Sequence, residues 1–190
     1  MAGSAGRPLT TNVEAYAAWE RLSGGCPLLI RAIGPADKEA LQAMVRRLSP
    51  ESAYLRFFQA KRELSLEELS YYTEVDFQSH VALVAIFRED DADLLIGTGR
   101  YFRGESTAPD SAELSFLVDD AHQGQGVATH LLRHLAAIAW AAGISELRAE
   151  VLADNKRMLD VFSHSGLPME VVPAGPMARV RLALKDPSEM

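Results

Sequence analysis

A single cysteine, Cys26, among 190 residues excludes an intramolecular disulfide. No Cys-His arrangement is identifiable around it, so it reads as a small buried or half-buried thiol and not as a nucleophile. No stretch of the chain approaches the length of a membrane span, and Met1 to Arg7 are small and polar, without the apolar core of a secretion signal; a cytoplasmic protein with no membrane partner is expected. Basic residues are in the minority: 19 Lys and Arg against 26 Asp and Glu leave a formal charge of −7 and a pI near 5.2. That balance disfavours a nucleic-acid partner, which would call for a basic face, and suits either a cationic partner or plain solubility. Internal repeats and low-complexity tracts are also missing. What remains, 48% hydrophobic and 24% charged residues, is the composition of one globular domain.

Residues 1–26 read as an N-terminal extension, partly helical over Val13 to Leu22, and residues 27–186 as a single domain. The extension is expected to pack on the domain's own surface in preference to a second copy of the chain, and a homodimer stays open. Leu28 to Ile33 is a strand, and a helix follows with Leu41, Met44, Val45 and Leu48 on one face, stopped by Ser49-Pro50. Ser65, with Glu68 three residues on, caps a second helix. His80 to Phe87 and Leu94 to Phe102 form a hairpin about a turn at Asp90 to Asp93. The pattern closes with a strand from Leu147, a helix from Asn155 to His164, and strands around Met169 to Val172 and Ala178 to Leu184. The order is β-α-α-β-β-β-α-β-α-β-β, an α/β fold with a mixed central sheet flanked by helices.

The richest segment runs from Ala112 to Gly143. An apolar strand, Ala112 to Val118, meets a glycine-punctuated turn and then a helix marked by Val127, Leu131, Leu135, Ile138 and Ala142, with Gly143 at the C-terminal cap. Gly124 and Gly126 remove side chains where a ligand must approach the backbone. The first turn of the helix offers unpaired N–H groups and the positive end of the macrodipole, so strand, turn and helix together suggest a pyrophosphate cradle. A dinucleotide fingerprint needs a third glycine where Thr129 stands and belongs to the first strand of its domain, which weakens a nucleotide-dependent oxidoreductase.

Gln123, Gly126 and Ala128 resemble the coenzyme A signature of the GNAT superfamily of N-acyltransferases. A second block, Asn155, Met158, Phe162 and Gly166-Leu167, follows at the family's spacing, and the resemblance covers roughly residues 28 to 184. Leu48 to Phe58 looks like the acetyltransferase module of Pat-type protein lysine acetyltransferases. The resemblance implies a GNAT-like sheet, acetyl-CoA as co-substrate, no metal, and an amine or protein-lysine acceptor. It places the cofactor on Leu117, Val118, Gln123, Gly124, Gln125, Gly126, Val127, Ala128, Thr129 and Asn155, and a general base at Glu113.

Acetyl transfer from a thioester to lysine needs the amine neutral, the carbonyl polarised and the thiolate stabilised, and a strand carboxylate can serve the first need. Alternation puts Glu113, Ser115 and Leu117 on one face and Leu114, Phe116 and Val118 on the other, so a merely solvated Glu113 is the competing account. The resemblance implies that a backbone N–H near Leu117 and Val118 holds the thioester oxygen, and that Asn155 orients the pantetheine arm or the adjacent helix; Asn155 also suits a helix cap. Phe162 stands where the family has a tyrosine that protonates the departing thiolate, which keeps a nonenzymatic acyl-CoA sensor in view. His130 and His134, four apart, lack the further ligands of a metal site. Asp119-Asp120 and Asp90-Asp91-Asp93 read as solvated loop acids. Arg56, Tyr54, Phe57, Phe58, Tyr71 and Tyr72 fall in the region that borders the acceptor groove in this superfamily, with Phe57 and Phe58 favoured as core.

Overall fold

The computed structural model describes residues 12–59, 61–89, 92–104 and 110–186. Eight strands make one sheet: β1 (Ala17–Arg21), β2 (Pro27–Ala32), β3 (His80–Glu89), β4 (Ala92–Phe102), β5 (Ser111–Val118), β6 (Glu146–Leu152), β7 (Met169–Ala174) and β8 (Met177–Ala183), in the order β1-β2-β3-β4-β5-β6-β8-β7. The helices are α1 (Lys38–Arg47), α2 (Pro50–Phe57), α3 (Leu66–Thr73), α4 (Val127–Ala141) and α5 (Lys156–Ser163). Neighbouring strands are antiparallel except β5 and β6, which run parallel and pair only through Ser111–Glu113 against Glu146–Arg148. Beyond Glu113 these two strands part, and β5 keeps β4 as its one strand neighbour.

Strand alternation feeds two cores. Val127, Leu131 and Leu135 of α4 pack with Leu83, Ile96, Leu114, Phe116 and Phe162 on one face. Leu41, Met44 and Val45 of α1, with Leu69 of α3, cover Val84, Leu95 and Leu117 on the other. Each such fully buried side chain contributes about 1.5–3 kcal/mol. Two glycines of β4 set how closely α4 approaches the sheet: a Cβ at Gly97 would lie 2.8 Å from Val127 Cγ1, and one at Gly99 3.0 Å from Leu135 Cδ1. The β3–β4 register slips between Ala85 and Ile86, a bulge that leaves Ile96 as an extra residue of β4. Its carbonyl accepts from the Asp119 amide at 2.8 Å and so fixes the chain leaving β5.

The mixed α/β sheet expected from the sequence is present, with two differences. The helix expected over Val13 to Leu22 is confined to one 3-10 turn, Val13–Ala15; the chain then forms β1, paired with β2 from Ala17↔Arg31 to Arg21↔Pro27. The free edge of β2 offers unpaired backbone groups to which the segment bonds, outweighing its weak helical pattern. The second difference is α2. Ser49-Pro50 stops α1 and also starts a helix: Ser49 Oγ accepts from the Ser52 amide at 3.1 Å, and Pro50 takes the first position, where a missing N–H costs nothing. The Ser65–Glu68 capping box forms as expected, with Glu68 Oε2 accepting from the Ser65 amide at 2.8 Å. Of the expected Asp90 to Asp93 turn, Asp90 and Asp91 lie outside the described residues, while Asp93 pairs with Arg88 at 3.0 Å. None of the described helices is long and apolar enough to cross a membrane.

Candidate active site

The glycine turn and the start of α4 form an anion cradle of backbone. Gly124 and Gly126 sit at φ +74° and +92°, the left-handed region that glycine enters without strain. Among the described residues the amides of Gly124, Gln125, Gly126, Val127, Ala128 and Thr129 donate to nothing; the first bonded amide is His130, to the Gly126 carbonyl at 3.0 Å. No side chain caps α4, and a Cβ at Gly124 would meet no atom within 4 Å. A row of free N–H groups at the positive end of a 15-residue helix can bind phosphate oxygens without a basic side chain.

Side chains around this turn brace it. Gln123 Nε2 donates to Ser52 Oγ at 3.1 Å and to the Val118 carbonyl at 3.3 Å, and its Oε1 accepts from Arg157 at 2.6 Å. One glutamine thereby joins α2, the end of β5 and α5. The Gln125 carbonyl accepts from Ser23 in the β1–β2 turn, from its amide at 3.3 Å and its hydroxyl at 3.2 Å. Asp119 and Asp120 are not the solvated acids expected. Asp119 is 3% exposed and pairs with Arg47 at 2.7 Å. Asp120 accepts from the Ser49 amide and from the hydroxyls of Ser49 and Ser52 at 3.0, 2.9 and 2.7 Å. Burial raises the Asp120 carboxyl, but these donors outweigh it and hold it below its ordinary value. Short-range sequence pattern could not show that partners some seventy residues away would pair Asp119 with a cation and hydrogen-bond Asp120.

The parting of β5 from β6 exposes the second half of the site. Leu117 and Val118 lie in the stretch that β6 has left, just before the cradle. Glu113 is exposed at the point of divergence, on the face shared with Ser115 and Leu117. That face borders a cleft lined by Leu41, Val45, Arg56, Phe57, Leu64, Tyr72, Thr98, Arg100 and Ser115 to Leu117. Arg100 donates to the Tyr72 carbonyl at 3.2 Å and Thr98 Oγ1 at 3.3 Å, and lies 3.1 Å from His80 Nε2. Burial, then the neighbouring Arg56 charge, pushes Arg100 down to about 9; burial and the Arg100 charge push His80 down to about 4. Phe162 is 1% exposed, its ring tilted against that of Phe116 with centroids 6.3 Å apart, and has no hydroxyl to offer the site. Ser163 and His164 both turn to the Asp160 carbonyl. Asn155 Oδ1 accepts from the Met158 amide at 3.2 Å, capping α5.

Other candidates fall elsewhere. His134 bonds Tyr16 through Nδ1 and Glu20 through Nε2, and His130 Nε2 meets the Arg21 carbonyl at 2.9 Å, so both histidines tie β1 to α4. Cys26 is exposed, because it lies in the β1–β2 turn and not in a packed element. Phe57 packs against the second core, but Phe58, ending α2 at φ +55°, is 49% exposed. Arg100, Thr98 and Ser115 had not been singled out from sequence; a charged residue inside the apolar run of β4 was the available signal.

The sequence profile described as the Acetyltransferase (GNAT) family matches residues 46–167. The chain is 30% identical over 142 residues to Acetyltransferase PA5475 of Pseudomonas aeruginosa, spanning 75% of each protein. It is 31% identical over 137 residues to Acetyltransferase Pat of Mycolicibacterium smegmatis, a match that covers 72% of this chain and 40% of that one. Among solved structures, the GNAT domain of S. lividans PAT superposes with a TM-score of 0.79 at 37% identity, over 88% of this chain and 97% of its own.

Proposed function

The chain belongs to the acetyltransferase (GNAT) family, and from that premise we propose that it moves the acetyl group of acetyl-CoA to a primary amine, with protein lysine included, by direct attack with Glu113 as general base. The observation that carries this reading is the parting of β5 from β6 directly before the unpaired amides of residues 124–129. The amides of Gly124 to Thr129 receive the pyrophosphate. The pantetheine arm then runs along the edge of β5 that β6 has left, bringing the thioester to Leu117 and Val118, where a backbone N–H stabilises the developing oxyanion. Asn155 sets the start of α5 beside that arm, and Gln123 holds the turn in place.

The acceptor nitrogen attacks the thioester carbonyl and forms the C–N bond. Glu113, exposed on the β5 face that also carries Ser115 and Leu117, takes the amine proton, and collapse of the oxyanion breaks the C–S bond. The thiolate leaves and is protonated by water, because Phe162 has no proton to give. Thiol release with lysine-containing proteins and small amines tests the reading. Glu113→Gln should lower turnover by about a hundredfold to ten-thousandfold while acetyl-CoA affinity stays within twofold or so. Full activity of that variant at neutral pH with a lysine acceptor would make Glu113 structural. The buried Phe162 supports one rival, an acyl-CoA sensor; acetyl-CoA binding by calorimetry with no thiol release across the acceptor series would favour it.

A further inference from the structure

Buried ions in this fold are paired. Asp37, 6% exposed, meets Arg31 at 2.6 Å, and Asp119 meets Arg47 at 2.7 Å. Two guanidiniums depart from that rule. Arg100, 7% exposed, and the half-buried Arg56 line the same cleft, and among the described residues no carboxylate lies within the 4.0 Å of an ion pair with either. Arg100 is held only by neutral groups, the Tyr72 carbonyl, the Thr98 hydroxyl and His80. The two cations share one aromatic ring: the Tyr72 centroid is 4.6 Å from the Arg100 guanidinium carbon and 5.8 Å from that of Arg56. Like charges brought together in a partly dry cleft repel, and the aromatic ring offsets only part of the cost.

We propose that Arg56 and Arg100 bind a carboxylate carried by one of the two substrates of the transfer. The role assigned to that substrate rests on the proposed acetyltransferase reading. Planar guanidinium forks match a carboxylate's two oxygens, and apolar walls from Leu41, Val45 and Leu117 strengthen the contact. The enclosed space beside the two guanidiniums is about 10 Å³, room for one water, and the cleft is open to solvent on one side, so a carboxylate is received at that open side. Its place in the ladder fits. Arg100 faces Ser115 and Phe102 faces Glu113 across β4 and β5, so Arg100 stands two residues, about 7 Å, along the same face from Glu113 and equally far from Leu117. A carboxylate there is a few bonds from the acetylated nitrogen or from the acyl carbon. Two sources supply it: an acceptor such as an amino acid with its carboxylate free, or an acyl chain that ends in a carboxylate.

Matched substrates separate these sources. In one arm, acetyl-CoA is offered with amino acids and with their primary amides; in the other, succinyl-CoA and butyryl-CoA are compared with one neutral amine. The carboxylate should raise kcat/KM by about 10- to 100-fold in one arm, the span of a charge-assisted hydrogen-bonded contact, and that arm names the source. In Arg56→Met the ratio should fall toward one. Equal kcat/KM in both arms would overturn the proposal, as would an unchanged ratio in Arg56→Met. A readout without turnover keeps the claim separate from the enzymatic one: succinate, titrated by calorimetry against chloride of equal ionic strength, should bind saturably to the wild type and lose that binding in Arg56→Met and Arg100→Met. Should Arg100→Met fail to fold, Arg56→Met on the rim still decides. Succinate binding lost in the variants, with no thiol release for any acceptor, would retain the anion site and discard the acetyltransferase reading. Succinate that binds wild type and variants alike, or neither, would discard the site even in an active enzyme.

Discussion

Two substitutions at Gly126 separate backbone strain from ligand charge. The residue sits at φ +92°, and a Cβ placed on it would approach nothing nearer than Ser23 Oγ at 3.8 Å and the His130 ring at 3.9 Å. The Cβ that Ala and Glu share clashes with nothing there, so both variants should bear the same left-handed backbone strain of about 1–2 kcal/mol. For a chain of this size that lowers Tm by about 2–8 °C in each. The variants differ in one negative charge beside the unpaired amides of residues 124–129. At about 5 Å from a phosphate and an effective dielectric near 20, the repulsion is about 3 kcal/mol, or about two orders of magnitude in Kd. Calorimetry with acetyl-CoA at low salt should therefore show Gly126→Ala close to the wild type and Gly126→Glu about a hundredfold weaker, with added salt shrinking the gap. If the two variants bind within about threefold of each other while sharing the Tm loss, the pyrophosphate does not sit on this turn.

The two remaining predictions concern stability. His80, 6% exposed, is held neutral down to about 4 against 6.5 for the free side chain, so between those values the unfolded chain binds a proton that the native state refuses. Stability is then fully present above pH 6.5 and lost as pH falls toward 4, by about 3 kcal/mol from this residue; urea denaturation across that window should show the slope, and His80→Gln should flatten it. Arg47→Met leaves the Asp119 carboxylate buried without its cation and should cost about 3–5 kcal/mol in urea denaturation, part of which Asp119→Asn in the same chain restores. A double mutant no more stable than Arg47→Met would show that the pair is not coupled.

What could be read from the sequence was local. The helix from Val127, its cap at Gly143 and the Ser65–Glu68 box each depend on residues within a few positions, and each forms where its spacing put it. The unpaired amides at the start of α4 follow from two glycines and a helix start, again a local pattern. Contacts between distant segments were not readable. Ser49-Pro50 carries the same letters whether it stops one helix or also starts the next. The strand β1 depends on an open edge of β2 that no local period announces. Arg56 was visible as a groove residue, but its relation to Arg100 exists only once α2 lies across β4 and β5.

Several separate features converge on the end of β5. The bulge that frees the Ile96 carbonyl gives the Asp119 amide its partner; Arg47 then fills the space between the Leu95 carbonyl and the Asp119 carboxylate. Gly97 and Gly99 let α4 close on β4 beneath that point, so the first turn of α4 meets the end of β5 at short range. With α4 held there, the strand that follows it returns beside β5 only across Ser111–Glu113, and the rest of the β5 edge is left to another partner. An unpaired strand edge in the middle of a sheet leaves backbone groups without ladder bonds, a cost that the fold's many paired strands do not share. A pantetheine arm supplies amide donors and acceptors of its own. On the proposed reading, filling that edge with a co-substrate would turn a structural deficit into binding energy beside Glu113, whose side chain is exposed at the divergence.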